Sequence, residues 1–189
     1  MTRKKLILSS LLFLIAFNNV TNVEGNIKHK EINLKEVNHK TVNEVNHKKP
    51  TLDDFLDQMG FLESSNNYRK INTLGYLGKY QFGKSTLETL GYGDIPNEEF
   101  VNSPKLQEKI MIKNLKFNKK VLETYIEHYE GECVNNVIIT ESGLLGAAHL
   151  AGAGNVRKFI CEGYNPQDSY GTKLSDYLIK FSNYELNLD

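Results

Sequence analysis

The chain has 189 residues and a formal net charge of zero, but its charge is unevenly distributed. Residues 1–50 hold nine basic and four acidic side chains, whereas residues 51–189 hold fourteen basic and nineteen acidic ones, which gives the second part a net charge of −5. An acidic folded part argues against a nucleic-acid-binding protein, which would normally present a basic face. Residues 51–189 are enough for one domain with a single core.

The N-terminus has the pattern of a secretory signal peptide. Residues 1–5 include three basic side chains, and residues 6–17 form an apolar run that only Ser9 and Ser10 interrupt. This run is shorter than the roughly 20 residues that span a bilayer, so the pattern favours a cleaved signal over a stable membrane anchor. We therefore expect residues 1–25 to be a signal peptide cut after Gly25, and the mature protein to be exported, periplasmic or secreted.

Residues 26–50 are polar, poor in aromatic side chains and partly repetitive, since Glu-Val-Asn-His-Lys occurs at 36–40 and again at 44–48. Such a segment buries too little apolar surface to offset the entropy of ordering it. It is predicted to be a disordered linker. Its histidines have no accompanying cysteine or carboxylate cluster, so a solvated linker is favoured over a metal site.

The folded part begins with a helix over residues 51–62. Thr51 and Asp54 have the spacing of a capping box, and apolar residues recur at steps of three and four. Glu63 therefore falls at the helix end, beside apolar neighbours and the negative end of the helix dipole. Both features disfavour its anionic form, as a general acid near neutral pH requires.

The remaining elements are predicted from periodicity and end signals. Residues 67–82, rich in glycine and aromatic side chains, are predicted to form a loop or short hairpin that turns near Gly75. Helices are predicted over 85–90, 103–129 (Ser103 as cap), 140–150 (Thr140 as cap) and 155–162, and a last helix is predicted to be capped by Thr172. Residues 134–139 are predicted to be a short apolar connector. The long helix carries an apolar stripe that includes Phe117, and its many lysines are predicted to be a solvated face.

Two motifs stand at a fixed spacing around the predicted loop. Glu63-Ser64 closes the first helix, and Gly78-Lys79-Tyr80-Gln81 follows, with Gln81 eighteen positions after Glu63 and a further glycine at Gly75. In these features the chain resembles the lysozyme-like lytic transglycosylases. In that family a Glu-Ser pair closes a helix and a Gly-x-x-Gln motif lies on the far wall of the sugar cleft.

The resemblance extends to two later positions with less agreement. Residues 148–152 read Ala-His-Leu-Ala-Gly where the family usually has Ala-Tyr-Asn-Ala-Gly. Tyr177 best fits the family's tyrosine near the start of a late helix, close to the catalytic glutamate, with Tyr170 as a competitor. Because Tyr-Asn has become His-Leu, two roles stay open for His149: a polar group facing substrate, or a buried histidine satisfied by the protein itself.

The resemblance implies a mainly α, lysozyme-like (α+β) domain over residues 51–189, with a small hairpin or loop insertion. It implies a lytic transglycosylase that breaks the β-1,4 bond between N-acetylmuramic acid and N-acetylglucosamine and forms a 1,6-anhydro sugar. Glu63 is the implied single catalytic acid and base. The implied substrate-binding residues are Ser64, Gly78, Tyr80, Gln81, His149, Gly152 and Tyr177. No metal or cofactor is implied, the partner is the peptidoglycan glycan strand, and we expect a monomer.

Other readings of the sequence stay open. Glu141-Ser142 is a second Glu-Ser pair, but it stands at a helix start, where a carboxylate is stabilised as an anion and capping is its ordinary role. A second carboxylate in the cleft, Glu141 or Asp94, would favour a hydrolase such as a goose-type lysozyme. A non-catalytic glycan-binding or envelope-assembly protein on the same scaffold is a further alternative, suggested by the altered third motif.

Cys133 and Cys161 are the only cysteines. An even number in an exported protein permits a disulfide, yet isolated cysteines are often small apolar residues without a bond. The sequence leaves this pairing open.

Overall fold

A computed structural model of the chain describes residues 48–168 and 171–188. Within these residues the fold is mainly helical, as predicted. The helices are α1 (Leu52–Ser64), α2 (Lys84–Thr89), α3 (Asn97–Val101), α4 (Pro104–Tyr129), α5 (Glu141–Ala151), α6 (Ala153–Glu162) and α7 (Leu174–Lys180), and a two-stranded antiparallel sheet pairs β1 (Cys133–Val134) with β2 (Val137–Ile138). The predicted signal peptide, residues 26–47 of the predicted linker and Tyr170 lie outside the described residues.

Helix α1 begins at the predicted capping box. The Thr51 backbone N–H donates to Asp54 Oδ2 at 2.7 Å, and the Thr51 hydroxyl accepts from the Asp54 backbone N–H at 3.4 Å. The helix ends at Ser64 because Ser65 takes a left-handed conformation with φ of 58°. Glu63 therefore lies in the last turn of α1, which extends two residues beyond the predicted helix.

Helix α4 runs through the domain, but its buried face differs from the predicted apolar stripe. Phe117, assigned to that stripe, is 43 % exposed. Three polar residues, Gln107, Asn114 and Asn118, are buried instead, next to Ile110, Met111, Leu115 and Leu122. The inner face of α4 is therefore both apolar and hydrogen-bonding. Ser103 stands at the N-cap of α4 as predicted, but its side chain makes no capping hydrogen bond.

Helix α5 is the central element, since it packs against α4, α6 and α7. Its two internal glycines let α7 approach closely. A Cβ at Gly143 would lie 2.6 Å from the Leu178 carbonyl oxygen, and one at Gly146 would lie 2.8 Å from Phe181 Cβ. Any larger side chain at either position would push α7 away from α5. Among the described residues, no helix is both long enough and apolar enough to cross a membrane.

Several local predictions need correction. Residues 97–101 form α3, a short helix that was not predicted, and the predicted connector at 134–139 overlaps the β1–β2 hairpin, which begins at Cys133. Its turn residues Asn135 and Asn136 both have positive φ, a conformation that asparagine tolerates. Helix α7 is capped at Lys173 rather than Thr172, and there the Asp176 carboxylate accepts from the Lys173 backbone N–H at 2.9 Å. In the structure Cys133 and Cys161 are free, exposed thiols.

A cluster around Glu108 of α4 fastens the irregular segment at 67–82. The Glu108 carboxylate accepts from the hydroxyls of Tyr68 (2.6 Å) and Tyr80 (2.5 Å) and lies 3.1 Å from Lys79 Nζ. The Lys79 side chain is only 5 % exposed, and its ammonium also lies 3.4 Å from Asp57. Burial by itself would raise the pKa of Glu108, but these hydrogen bonds and the lysine charge together hold the pKa below its usual range.

We expect Glu108→Gln to destabilise the domain by about 1–3 kcal/mol, because buried Lys79 loses its closest anion and two hydroxyls lose a charged acceptor. Because the pKa of folded Glu108 is lowered, this stabilisation is present at neutral pH and is lost as the pH falls through the lowered pKa. Urea denaturation at neutral and acidic pH measures both effects. Glu123→Gln, at an exposed glutamate of the same helix, is the control. Equal stability of the two variants at neutral pH would contradict this role.

Candidate functional site

A cleft of about 720 Å³ lies where the end of α1, the segment at 70–81, the end of α5 and helix α7 meet. Four residues predicted as catalytic or substrate-binding line it, namely Glu63, Gln81, His149 and Tyr177. They come from four separate stretches of the chain. The fold therefore brings side chains that are far apart in the sequence into one cavity.

Glu63 and Tyr177 form the polar centre of the cleft. The Tyr177 hydroxyl donates to Glu63 Oε1 at 2.8 Å, although the two residues are 114 positions apart. Burial, followed by the charge of Glu63 and its hydrogen bond, raises the pKa of Tyr177 well above its usual value. The hydroxyl therefore stays protonated and keeps the proton that it donates to Glu63. Glu63 Oε2 has no hydrogen-bond partner among the residues that the structure describes.

Gln81 is placed by a tight turn. Leu77 and Phe82 exchange two backbone hydrogen bonds of 3.0 and 2.9 Å, so that residues 78–81 form the loop between them. Within this loop Gln81 has a left-handed φ of 48°, which is uncommon for a residue other than glycine. Its side-chain amide donates to the Gly78 carbonyl at 2.9 Å. The turn thus places Gln81 in the wall of the cleft that Glu63 also lines.

Ser64, Gly78 and Tyr80, predicted to bind substrate, do not line the cleft. The Ser64 hydroxyl is buried, where it donates to the Lys79 carbonyl at 2.7 Å and accepts from the Asn67 backbone N–H at 2.9 Å. Tyr80 is fully buried against the Glu108 cluster. These residues lie behind the residues that line the cleft and hold them in place. Ser64 joins the end of α1 directly to the turn that carries Gln81.

Gly78 has a packing role. Its φ is +76°, and a Cβ at this position would collide with the Gln107 side-chain oxygen. That oxygen accepts from the Lys79 backbone N–H at 2.8 Å, so the collision would disturb the hydrogen bond that holds the turn to α4. Gly152, also predicted to contact substrate, is an exposed junction between α5 and α6 and does not line the cleft.

His149 lies in the cleft wall, and its ring nitrogens are satisfied by the protein itself. The residue is partly buried and lines the cleft, yet both of its ring nitrogens contact protein groups. Nε2 lies 2.8 Å from the Tyr80 carbonyl oxygen, and Nδ1 lies 3.2 Å from the side-chain amide of Asn114. Its ring also meets the edge of Phe82, with a centroid distance of 5.4 Å.

The cleft holds carboxylates that sequence reasoning did not single out. Asp168 and Asp176 line it, whereas Glu141 and Asp94, the predicted candidates for a second carboxylate, do not. Glu141 instead pairs with Lys119 at 3.0 Å. The loop before α7 has no catalytic motif, so nothing in its local sequence could have indicated that it approaches Glu63.

The remaining lining residues include both charged and apolar side chains. Lys70 and Lys180 contribute ammonium groups, and Lys70 Nζ donates to the Glu63 carbonyl at 3.2 Å. Leu74 and Tyr76 are 66 % and 43 % exposed and form an apolar part of the wall. Tyrosine rings and apolar side chains next to charged groups are suited to stacking on sugar rings while binding their polar substituents.

The described residues contain no group of three or more His, Cys, Asp or Glu side chains that could hold a metal ion. In comparisons with protein-family models, curated proteins and solved structures, nothing matches this chain.

We expect Gly78→Ala to destabilise the domain by about 2–4 kcal/mol, since it combines left-handed backbone strain with a collision against Gln107. Gly75→Ala is the matched control. Gly75 has a similar φ of +82°, but a Cβ there would meet nothing within 4 Å, so we expect only the backbone cost of about 1–2 kcal/mol. Chemical denaturation gives the free energy of unfolding of both variants, and the difference between their losses is the cost of the collision with Gln107. Equal losses would show that this contact does not matter.

Proposed function

We propose that this protein is an exported lytic transglycosylase with a lysozyme-like fold that cleaves peptidoglycan glycan strands. The observation that carries the proposal is the pair of Glu63 and Tyr177 in a cleft that Gln81 also lines. A carboxyl group that lines a cleft and is held at one oxygen by a buried hydroxyl suits transfer of a proton to a bound substrate. The N-terminal signal pattern supports export.

In the proposed reaction Glu63 acts first as an acid and then as a base. Its proton passes to the bridging oxygen between N-acetylmuramic acid and N-acetylglucosamine, and the bond from that oxygen to muramyl C1 breaks. The resulting carboxylate takes the proton of the muramyl 6-hydroxyl as its oxygen bonds to C1. Glu63 ends protonated, the product carries a 1,6-anhydro ring, and no water is consumed. Because the nucleophile belongs to the sugar itself, proximity replaces a second enzyme carboxylate.

The other cleft residues have supporting roles in this proposal. Tyr177 orients the Glu63 carboxyl group and stabilises its charge after the first proton transfer. Gln81 offers its amide to an acetamido or carbonyl group of the sugar. Tyr76 provides a face for a sugar ring at the cleft wall.

A hydrolytic muramidase is the second candidate, and the presence of Asp168 and Asp176 in the cleft favours it. A hydrolase ordinarily uses a second carboxylate as base or nucleophile. Both aspartates, however, already accept backbone hydrogen bonds: Asp168, in the loop before α7, accepts from Thr172 at 2.9 Å, and Asp176, in the first turn of α7, accepts from Lys173 at 2.9 Å. Since these local hydrogen bonds account for both carboxylates, the single-acid route is preferred.

We expect Glu63→Gln to lower peptidoglycan cleavage by at least about 100-fold, because the general acid is removed while the cleft shape is kept. The melting temperature should stay within about 3 °C of the wild-type value, since a functional acid seldom stabilises its fold. Glu141→Gln, in the other Glu-Ser pair, should retain activity. Clearing of a turbid cell-wall suspension measures the cleavage activity of the wild type and of both variants. A wild type that binds cell walls without clearing them would instead support a glycan-binding protein.

The chemistry of the new chain ends separates the two enzyme candidates. We expect digestion in heavy-oxygen water to give 1,6-anhydro-muramyl ends without label, because the 6-hydroxyl and not water attacks C1. Mass spectrometry of the digested glycan measures this directly. Mostly reducing ends that carry the label would establish hydrolysis. In that case Asp168→Asn and Asp176→Asn would identify the second carboxylate.

A further inference from the structure

His149 is held by hydrogen bonds that define which of its nitrogens carries the proton. Nε2 faces the Tyr80 carbonyl oxygen at 2.8 Å, and since a carbonyl only accepts, Nε2 must be the donor. Nδ1 faces the Asn114 amide nitrogen at 3.2 Å and accepts from it. This pair of contacts corresponds to the tautomer that carries its proton on Nε2.

Asn118, one turn further along α4, holds the Asn114 side chain in the orientation that donates to His149. Its side-chain amide donates to Asn114 Oδ1 at 3.1 Å, so the Asn114 oxygen is engaged and its nitrogen is directed at His149. Asn118 and Asn114 are 5 % and 4 % exposed, which makes an unsatisfied or reversed amide costly. The chain of donors therefore runs from Asn118 through Asn114 and His149 to the Tyr80 carbonyl.

The Tyr80 carbonyl belongs to the peptide bond that leads into Gln81. Gln81 has a left-handed φ of 48°, a conformation that persists in a non-glycine residue only when its surroundings hold it. Tyr80 is fully buried, so no water replaces the His149 hydrogen bond to its carbonyl. The imidazole thus fixes, from the cleft side, the peptide that sets the direction of the Gln81 side chain.

We propose that His149 is a positioning residue that orients Gln81 through the Tyr80 carbonyl, and that Asn114 and Asn118 select the tautomer this requires. The proposal rests on the proposed function, in which Gln81 contacts the sugar. Because both ring nitrogens are committed to protein groups, His149 neither exchanges a proton with substrate nor binds a metal. Its effect on cleavage is transmitted entirely through Gln81.

The first test is spectroscopic and independent of activity. In the wild-type protein, nitrogen NMR of the His149 ring should show a protonated Nε2 and an unprotonated Nδ1 at neutral pH. A proton on Nδ1 overturns the proposal. His149→Phe should also speed hydrogen exchange of the Gln81 side-chain amide, since that amide loses its defined place, whereas unchanged exchange overturns the proposal.

The second test uses activity on peptidoglycan. We expect His149→Phe, which keeps the ring packing against Phe82 but removes the donor, to lower kcat/KM by about 10- to 100-fold. His149→Gln, whose amide can donate to the same carbonyl, should recover most of that loss. His128→Phe, at an exposed histidine of α4, is the matched control and should match the wild type.

A double-mutant cycle separates positioning from general support of the fold. In a Gln81→Ala background, His149→Phe should cause little further loss, because the residue through which it acts is already gone. Losses that multiply would overturn the proposal. If the wild-type protein does not cleave peptidoglycan, the proposed function fails, and the two NMR measurements alone decide whether His149 orients Gln81.

Discussion

The polar side chains that α4 turns inward are the constraint on which the candidate site depends. Gln107 is fully buried; its oxygen accepts from the Lys79 backbone, and its nitrogen donates to the carbonyls of Tyr68 and Phe100. The segment at 67–82 has only isolated bridges and turns of its own. Buried polar groups need partners, and α4 supplies them: Gln107 bonds the backbone of the segment, and Glu108 bonds its buried side chains. One rigid helix therefore shapes an otherwise irregular cleft wall.

The same constraint couples the parts of the site to one another. Ser64 joins the end of α1 to the Lys79 carbonyl, so Glu63 and Gln81 are set by one buried connection. On the opposite side, the glycines of α5 let α7 approach closely enough for Tyr177 to reach Glu63. Groups held from two directions lose little freedom when a substrate binds. Such preorganisation is what proton transfer in a cleft requires.

Local patterns in the sequence predicted the elements well where a local interaction defines them. The capping box at Thr51, the proline that opens α4 and the Thr140 cap of α5 each depend on residues within one turn. The prediction of which face of α4 is buried was less accurate. Phe117 is exposed while Asn114 is buried, because the elements that pack against α4 decide which of its faces is buried. Hydrophobicity alone would have placed Phe117 inside and Asn114 outside.

The sequence by itself determined most of the helices, the caps at Thr51 and Thr140 and the candidate acid Glu63, because propensity, periodicity and capping act between neighbouring residues. It predicted a turn near Gly75, but not the second turn at 78–81 that carries Gln81. Only the tertiary structure decided that Ser64 and Tyr80 support the wall from behind and that Asp168 and Asp176 enter the cleft. These placements depend on contacts between residues far apart in the chain, which no local pattern encodes. The hydrogen bond from Tyr177 to Glu63, across 114 positions, exists only because α5 lets α7 pack beside it.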